Sequence, residues 1–470
     1  MNKNRVGKFP FWSKMMPEDG QMLKRKIEEK LELWWKGKTA LFVDGARQVG
    51  KTYALEAFAK SKSSSYVYLN FVAQLDAIPQ IIKSKDAKSF LFNLSTIIDR
   101  PLIKGETIIF LDEIQQIYIY MDEHQIPHSE FDLVTLMKFL VMEGSYRYIL
   151  SGSLLGVTIT DAVSWPTGYM TSFTMYPLDF EEFLWANGVN EDVVANVKDC
   201  FTKKIPVGDY IHAKFMDLFR KYVLIGGMPA AVQSYIDHND LNMVALEHQN
   251  IEMYNRRDIT KYAPKDKKLY VLQIYDAIPE ELDKKNKRFT IGPLENKNNH
   301  EIVEDSFLWL VNAGVAIPAY TADEPTIPLR IGVNRRLLKL FDEDSGLLTY
   351  LYMDSTVKNK ILNDEKDINF GAIYENVVAS LLRSHGFDRL YYYNNKKQGE
   401  VDFLVEWQGD VLPIEVKSGK DFERHSALDN LLSHKGYAIP QAFIFANENL
   451  KVKGNKIYLP IYMADFLKRG

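Results

Sequence analysis

The sequence predicts an α/β protein in which a parallel sheet carries a phosphate loop and further domains follow it. Residues 45–52 form a glycine-rich loop between a β-rich run at 39–44 and a helical run at 53–60. Residues 108–111 are a continuous apolar run that ends in two acids, which is typical of a strand buried in a parallel sheet. The length of 470 residues predicts about two to four domains.

The loop at 45–52 has the pattern Gly-x-x-x-x-Gly-Lys-Thr, which binds nucleotide phosphates. Its glycines allow the tight turn that points successive N–H groups at an anion. Lys51 is predicted to reach the β- and γ-phosphates, and Thr52 to offer its hydroxyl to Mg²⁺. A chance glycine turn is the alternative, and the strand–loop–helix context disfavours it. The predicted nucleotide-binding residues are Gly45, Ala46, Arg47, Gln48, Val49, Gly50, Lys51, Thr52 and, on a later strand, Ser151.

The two acids after the apolar run complete the predicted nucleotide site. Asp112 is predicted to hold Mg²⁺ through water, and Glu113 to orient and polarise the attacking water as a general base. A third buried strand at 147–150 ends in Ser-Gly-Ser. Ser151 or Ser153 is a candidate sensor of the γ-phosphate, although a plain serine turn explains both residues nearly as well.

Composition narrows the classes of protein. The chain is 46% apolar and 26% charged, which is typical of a globular protein, and its net charge of −4 excludes a protein that coats nucleic acid by bulk charge. Local basic patches remain compatible with that balance. The single cysteine, Cys200, favours a reducing compartment. We find no apolar segment of signal-peptide or membrane-spanning length, so we expect a soluble cytoplasmic protein with no membrane partner.

Changes of pattern along the chain predict five regions. A lead-in helix precedes the sheet, wholly helical sequence follows it as a candidate lid, and a helix-then-strand order near 301–320 weakly indicates a winged helix. Asp179 is a candidate N-cap, and residues 358–369 have the composition of a linker. The predicted regions are 1–38 (lead-in helix), 39–188 (phosphate-loop core), 189–264 (helical lid), 265–357 (winged-helix-like region) and 358–470 (last domain).

The last domain contains a second group of candidate catalytic residues. Glu375 lies on the predicted helix 371–384, Asp402 begins a strand, and Glu415 and Lys417 share one face of the strand at 412–417. The carboxylates of Asp402 and Glu415 suit a divalent cation, and the lysine can polarise a water for attack on a phosphodiester. A surface ion pair between Glu415 and Lys417 is the alternative. The order of all four residues favours a nuclease-type site.

Several longer motifs stand in order along the chain. They are GARQVGKT at 45–52, LDEIQ at 111–115, SGSLLG at 151–156, YPLDFEEFL at 176–184, GGMP at 226–229, RRDITKY at 256–262, and YEN, EVDFLV and PIEVKSG between 374 and 419. Together these motifs resemble a widespread prokaryotic family of AAA+ ATPases. The resemblance covers nearly the whole chain and implies ATP and Mg²⁺ binding, a helical lid and a C-terminal PD-(D/E)xK-like α/β domain of the restriction-endonuclease type. It places Glu375, Asp402, Glu415 and Lys417 at the nuclease positions.

The sequence contains more than one candidate for an arginine that contacts the nucleotide. Arg256 and Arg257 are candidates for an arginine finger supplied to a neighbouring subunit, which would make the chain a homo-oligomer. A salt bridge within the lid is the favoured alternative. Arg47 is a further base that would touch a partner or the nucleotide.

Three hypotheses of function follow. In the first, Mg²⁺-dependent ATP binding or hydrolysis gates nucleic-acid cleavage by the C-terminal domain. In the second, the ATPase is a switch whose inactive C-terminal domain only binds nucleic acid or a protein. In the third, the chain is a protein remodeller. The intact four-residue group favours the first, with Lys396, Lys397, Lys417 and Lys420 as local bases for nucleic acid.

Overall fold

A computed structural model describes residues 23–152, 166–284, 289, 300–362, 371–395, 397–419 and 421–469. The predicted roles of Ser153, Lys396 and Lys420, most of the predicted linker and the start of the lead-in helix fall outside these residues. The chain forms two compact units. One contains Met1–Gly45 and Gly50–Met175, and the other contains Ala46–Val49 and Tyr176–Gly470.

The first unit is built on a five-stranded sheet in the order β2-β3-β4-β1-β5, and all four strand pairs are parallel. This confirms the predicted parallel sheet. The strands are β1 (Ala40–Gly45), β2 (Tyr66–Asn70), β3 (Ile108–Asp112), β4 (Arg147–Ser151) and β5 (Met170–Met175). The helices are α1 (Ile27–Trp35), α2 (Lys51–Lys62), α3 (Ile78–Ile81), α4 (Ala87–Ile98), α5 (Gln115–Glu123) and α6 (Leu133–Glu143).

The strand order brings the C-terminal ends of β1, β3 and β4 next to one another at one edge of the sheet. All five residues of β3 are buried, as the apolar run predicted. β4 lies between β1, which leads into the phosphate loop, and β3, which ends in Asp112. Ser151, the last residue of β4, therefore lies between the ends of these two strands. Carboxyl ends of parallel strands form the edge at which α/β sheets bind ligands.

The second unit begins with a largely helical segment. Asp179 caps its first helix, because the Asp179 carboxylate accepts from the Glu182 N–H in a capping box, so the predicted N-cap is confirmed. The helical pattern predicted for 189–262 is also confirmed. The helices are α7 (Phe180–Ala186), α8 (Glu191–Lys203), α9 (Asp209–Ile225), α10 (Pro229–His238), α11 (Leu241–Tyr262), α12 (Lys268–Asp283) and α13 (His300–Asn312).

Two glycines form the turn between α9 and α10 because other backbone and side-chain atoms pass very close. A Cβ at Gly227 would lie 2.1 Å from the Leu178 carbonyl oxygen. At Gly226, where φ is +73°, a Cβ would lie 2.0 Å from Asp344 Oδ1. The Gly227 N–H donates to Asp344 Oδ2 at 2.6 Å, so this carboxylate anchors the turn.

An eight-stranded mixed sheet completes the second unit, in the order β12-β13-β11-β10-β9-β8-β6-β7. Its strands are β6 (Ala316–Ala322), β7 (Val333–Asp342), β8 (Leu390–Asn395), β9 (Gly399–Trp407), β10 (Asp410–Val416), β11 (Ala442–Ala446), β12 (Lys451–Lys453) and β13 (Lys456–Pro460). Helices α14 (Ser345–Tyr352), α15 (Ser355–Leu362), α16 (Gly371–Ser384) and α17 (Ser426–Leu432) accompany it.

This sheet takes strands from two of the predicted regions. β6 pairs in parallel with β8, so strands from the predicted winged-helix-like region 265–357 and the predicted last domain 358–470 belong to one sheet. This pairing joins residues about seventy positions apart, which local sequence patterns do not reveal. The predicted linker at 358–369 was too long, since 358–362 lie in α15. No helix among the described residues is long and apolar enough to cross a membrane.

Candidate functional site

The phosphate loop has the backbone that its glycines predict. A Cβ at Gly45 would lie 2.1 Å from the Met175 carbonyl oxygen, so only glycine fits where β1 meets β5. Gly50 has φ +90° and is the residue from which α2 starts. Lys51 is 6% exposed, and its Nζ donates to the Gly45 carbonyl at 3.0 Å. The lysine is thereby held at the N-terminus of α2, where helix N–H groups favour an anion.

Asp112 is the centre of the polar network in the first unit. It is 1% exposed, and Thr52 Oγ1 donates to its Oδ2 at 3.0 Å. Ser151 Oγ donates to Oδ1, and the Glu113 N–H reaches the same oxygen at 3.1 Å. A threonine hydroxyl beside a carboxylate is an all-oxygen pair of the kind Mg²⁺ prefers. The predicted pair Thr52 and Asp112 therefore lies together, and the residues fit a magnesium ion.

Glu113 has a backbone conformation that other residues rarely adopt. Its φ is +57°, in the left-handed region, which costs a non-glycine residue about 1–2 kcal/mol. Gln115 Nε2 donates to Glu113 Oε2 and so orients the carboxylate. Strain of this kind concentrates at functional positions, which agrees with the role predicted for the Glu113 side chain.

Sequence analysis missed three residues of this network. Tyr68 and Asn70 on β2 both donate to Asp112 Oδ2, at 2.8 and 2.9 Å, and Gln115 donates to Glu113. Burial, and then the charge of Asp112, raise the pKa of Tyr68, which keeps its hydroxyl a donor. The signal was available, because Tyr68 and Asn70 are two apart on a strand and share a face. Ser151 lies in the network, and its hydroxyl donates to Asp112.

The arginines of the second unit are placed in two ion-pair networks and one exposed position. Arg47 Nη1 donates to Asp258 Oδ2 at 2.6 Å, where burial raises the pKa of Asp258 and Arg47 opposes that rise. Arg256 pairs with Glu252 and Asp276, which is the salt-bridge alternative. Arg257 is exposed on α11 and remains the candidate finger.

Three of the predicted C-terminal residues, Asp402, Glu415 and Lys417, lie near the start of β9 and the end of β10, and the fourth, Glu375, lies on α16. Lys417 Nζ donates to Glu415 Oε1 at 2.6 Å, so the two side chains share one side as their spacing predicted. Asp402 Oδ2 accepts from the Val416 N–H at 2.8 Å, which fixes Asp402 beside the same strand end. Glu415 is 5% exposed, and its Oε2 is buried without a hydrogen-bond partner among the described residues. An orphaned buried carboxylate oxygen fits a cation ligand.

A buried lysine joins this group from a strand that sequence analysis did not connect with it. Lys339 on β7 is 0% exposed, and its Nζ lies 2.7 Å from Glu400 Oε1 and 3.6 Å from Glu375 Oε2. The ammonium also lies 4.9 Å from the centre of the Tyr392 ring. The only sequence signal was a lysine between leucines in the apolar run RLLKLF at 336–341. We call Lys339, Glu375, Glu400, Asp402, Glu415 and Lys417 the carboxylate cluster.

Opposite charges hold the carboxylate cluster together. Burial raises the pKa of Glu415, Lys417 opposes that rise, and Glu375 adds to it. Burial alone would lower the pKa of Lys417, but Glu415, Asp402 and Glu375 outweigh it and the pKa is raised. The carboxylates of Glu375, Glu400 and Asp402 likewise raise the pKa of Lys339 against the opposing effect of burial, so both lysines are charged near neutral pH.

A separate group of metal-ligand residue types has a structural explanation. Among the described residues, the group of three whose ligand atoms lie within 4.8 Å of one another is Asp179, His385 and Asp465. Asp179 caps α7, and Asp465 accepts from the Phe180 and Glu181 N–H groups at 3.1 and 3.2 Å. His385 Nε2 lies 3.1 Å from Asp179 Oδ2. These side chains fix a helix start, and we assign no metal to them.

The parallel sheet, the phosphate loop and the paired acids define a P-loop ATPase domain. In agreement, residues 37–184 match the family described as "AAA domain". Residues 216–358 and 370–464 match two families described as domains of unknown function, DUF8612 and DUF4143. The first match supports an AAA-type ATPase domain at residues 37–184. The other two leave the restriction-endonuclease-like assignment of the last domain without support. No curated protein matches the chain.

Similar solved structures are distant. The Walker-type ATPase PABY2304 of Pyrococcus abyssi is 14% identical, with 70% of this chain and 96% of that chain covered and a TM-score of 0.40. Orc1 of Aeropyrum pernix in complex with DNA is 15% identical, with 72% and 91% covered and a TM-score of 0.27. AMPPCP-bound DnaA of Aquifex aeolicus is 14% identical, with 60% and 73% covered and a TM-score of 0.26. Likenesses this weak carry no conclusion about ligands or partners.

Proposed function

We propose that the first unit hydrolyses ATP with Mg²⁺ and that this turnover controls nucleic-acid cleavage at the carboxylate cluster of the second unit. The observation that carries the ATPase part is the network in which Thr52, Asp112 and Glu113 meet at the carboxyl edge of the parallel sheet. If Ser151 only formed a turn, or if Asp112 and Glu113 were only structural, they would not need a phosphate loop beside them.

Each residue of the network has a distinct part in the proposed reaction. Lys51 and the N–H groups at the start of α2 bind the phosphates and offset charge on the transferring phosphoryl group. Thr52 and Asp112 would hold Mg²⁺, which supplies further charge neutralisation when bound. Glu113, oriented by Gln115, takes a proton from the attacking water. Tyr68, Asn70 and Ser151 keep the Asp112 carboxylate in place by donating to it.

The ATPase is tested by comparing Glu113→Gln with Lys51→Ala in the full chain. Loss of a general base lowers turnover by about 10²–10⁴-fold, so Glu113→Gln should bind ATP with unchanged affinity and release phosphate at most slowly. Lys51→Ala should lose binding as well. Equal phosphate release by wild type and Glu113→Gln would remove Glu113 from the role of base.

Nucleic-acid cleavage is supported by the joining of Glu375, Asp402, Glu415 and Lys417 in one cluster. Asp402 and Glu415 would hold a divalent cation, which supplies charge stabilisation at a phosphodiester when bound. Lys417, 28% exposed at its side chain, is placed to polarise the attacking water. Lys397 is an exposed base on the β8–β9 loop and is a candidate phosphate contact.

The second candidate is an ATP-driven switch or protein remodeller whose carboxylate cluster binds a partner without cutting it. The observation that favours it is Lys339, which places an ammonium beside two of the carboxylates. A built-in cation offsets negative charge that would otherwise attract a metal ion.

One assay separates the two candidates. Labelled single- and double-stranded DNA and RNA are incubated with the full chain and Mg²⁺ or Mn²⁺, and both cleavage and retention are measured. The nuclease proposal predicts cleavage that Asp402→Asn abolishes while binding persists. Binding without cleavage, equal in wild type and Asp402→Asn, would support the second candidate and overturn the first.

A further inference from the structure

A cavity of about 570 Å³ lies within the second unit, and none of its lining residues belongs to the carboxylate cluster or the phosphate loop. It is lined by residues of α9, α10, α11, α14 and α15. The lining residues that matter here are Lys221, Tyr235, Asn242, Tyr350, Lys358 and Asn359.

Lys358 is the unusual member of this lining. It is 8% exposed, and among the described residues no carboxylate or hydrogen-bond acceptor acts on its ammonium. Its neighbour is the ring of Tyr350, with 5.6 Å from Nζ to the ring centre. Burial alone lowers the pKa of Lys358. A buried ammonium is costly unless an opposite charge accompanies it, and no described residue supplies that charge to Lys358.

Other groups near Lys358 do not supply that counter-ion. Burial, with a smaller contribution from Lys358, lowers the pKa of His248 to about 4, so this histidine is neutral near pH 7. Asp240 also lines the cavity, but its carboxylate caps α11 by accepting from the Asn242 N–H at 2.8 Å. Lys221 adds a second cation, which is paired with Asp217 at 3.0 Å.

The start of α11 contributes further positive potential. This helix has 22 residues, and Leu241 and Asn242 at its first turn line the cavity. The N-terminus of a long helix carries a partial positive charge and favours an anion, although the Asp240 carboxylate already takes one of its N–H groups. The observation that points to an anion in this cavity is therefore the buried Lys358 ammonium, and the helix start adds to it.

We propose that this cavity binds a small organic anion whose carboxylate or phosphate group pairs with Lys358 at the start of α11. The volume suits an organic molecule, because small-molecule sites occupy about 300–1,000 Å³. The rings of Tyr235 and Tyr350 would cover its apolar part, and the Asn242 and Asn359 amides would bind its polar groups. The site is independent of the proposed ATPase and nuclease chemistry.

The test uses the full chain with Lys51→Ala as background, so that phosphate probes do not bind the phosphate loop. Lys358→Met removes the buried charge at similar volume, and Lys360→Met, on the exposed side of the same helix, is the matched control. Thermal unfolding without ligand and calorimetric titration with ribose 5-phosphate, citrate and inorganic phosphate are measured for each.

We expect Lys358→Met to raise Tm without ligand, because an uncompensated charge is removed, and Lys360→Met to leave it unchanged. We expect ribose 5-phosphate or citrate to bind with a Kd below about 1 mM, and Lys358→Met to weaken that binding by about tenfold or more. Preference between these two probes identifies phosphate or carboxylate as the anion. A lower Tm in Lys358→Met, equal binding by both variants, binding of inorganic phosphate alone, or no binding by any probe would each overturn the proposal.

Discussion

The ammonium of Lys339 lies 3.6 Å from Glu375 Oε2, and both residues are almost completely buried. Glu375 comes from α16 and Lys339 from β7, so the contact joins a helix to a strand of the mixed sheet. The carboxylate cluster therefore contains its own cation, which bears on whether it binds a metal ion and how strongly it stabilises the fold.

Replacing Lys339 by methionine should destabilise the second unit. The change leaves Glu375 and Glu400 without their nearest counter-charge, and removing one partner of a buried pair costs about 3–5 kcal/mol. Urea unfolding measures the loss, with Lys397→Met as an exposed control. If the cluster is a metal site, Mn²⁺ should restore more stability to Lys339→Met than to wild type. Unchanged stability in Lys339→Met would show that the buried pair is not formed.

Gly227→Ala should destabilise the turn between α9 and α10. The added Cβ would lie 2.1 Å from the Leu178 carbonyl oxygen, so the backbone must move and the bond from Gly227 N–H to Asp344 weakens. We expect a loss of more than about 1 kcal/mol in the free energy of unfolding. Gly208→Ala is the control, because nothing lies within 4 Å of its added Cβ. Equal effects of the two changes would refute this explanation of the glycine.

The raised pKa of Glu343 predicts that the free energy of unfolding depends on pH. Burial raises its pKa from the ordinary 4.5 to about 8, with Arg383 opposing and Asp344 adding to the rise. The folded chain therefore retains a proton that the unfolded chain loses, so Glu343 contributes stability that is complete below about pH 4.5 and is lost as pH rises to about 8.

Glu343→Gln imitates the protonated side chain and should remove this dependence. The Tm of the variant should exceed that of wild type by an amount that grows from pH 5.5 to pH 8. The exposed change Glu324→Gln should give a difference that does not vary with pH. A constant difference for Glu343→Gln as well would mean that Glu343 titrates normally in the folded chain.

Asn70→Ala should raise the Mg²⁺ concentration needed for ATP hydrolysis. Asn70 Nδ2 donates to Asp112 Oδ2 at 2.9 Å, and groups that orient a metal ligand are typically worth about 10–100-fold in metal affinity. Phosphate release is measured against Mg²⁺ concentration. Gln74→Ala, whose side chain bonds to the Asn70 N–H, is the control. A shift in maximal rate without a shift in Mg²⁺ dependence would place Asn70 outside the metal environment.

Local patterns made most of these groups predictable from sequence. Three groups depend on spacing within one strand or loop, so they can be recognised from neighbouring residues in the sequence. These are the phosphate loop, the Asp112–Glu113 pair and the Glu415–Lys417 pair. Lys339 was missed because its place depends on β7 joining the same sheet as β9. Strand pairing between distant segments leaves little trace in a single sequence, and the pairing of β6 with β8 was missed for the same reason.

The dependence of nucleic-acid cleavage on ATP shows whether the phosphate loop and the carboxylate cluster act together. Wild type, Lys51→Ala and Asp402→Asn are compared on labelled DNA and RNA with Mg²⁺, with and without ATP. We expect ATP to change the cleavage rate of wild type, Lys51→Ala to lose this response but still cut at the basal rate, and Asp402→Asn never to cut. Cleavage that is identical with and without ATP, or that survives Asp402→Asn, would contradict the proposed function.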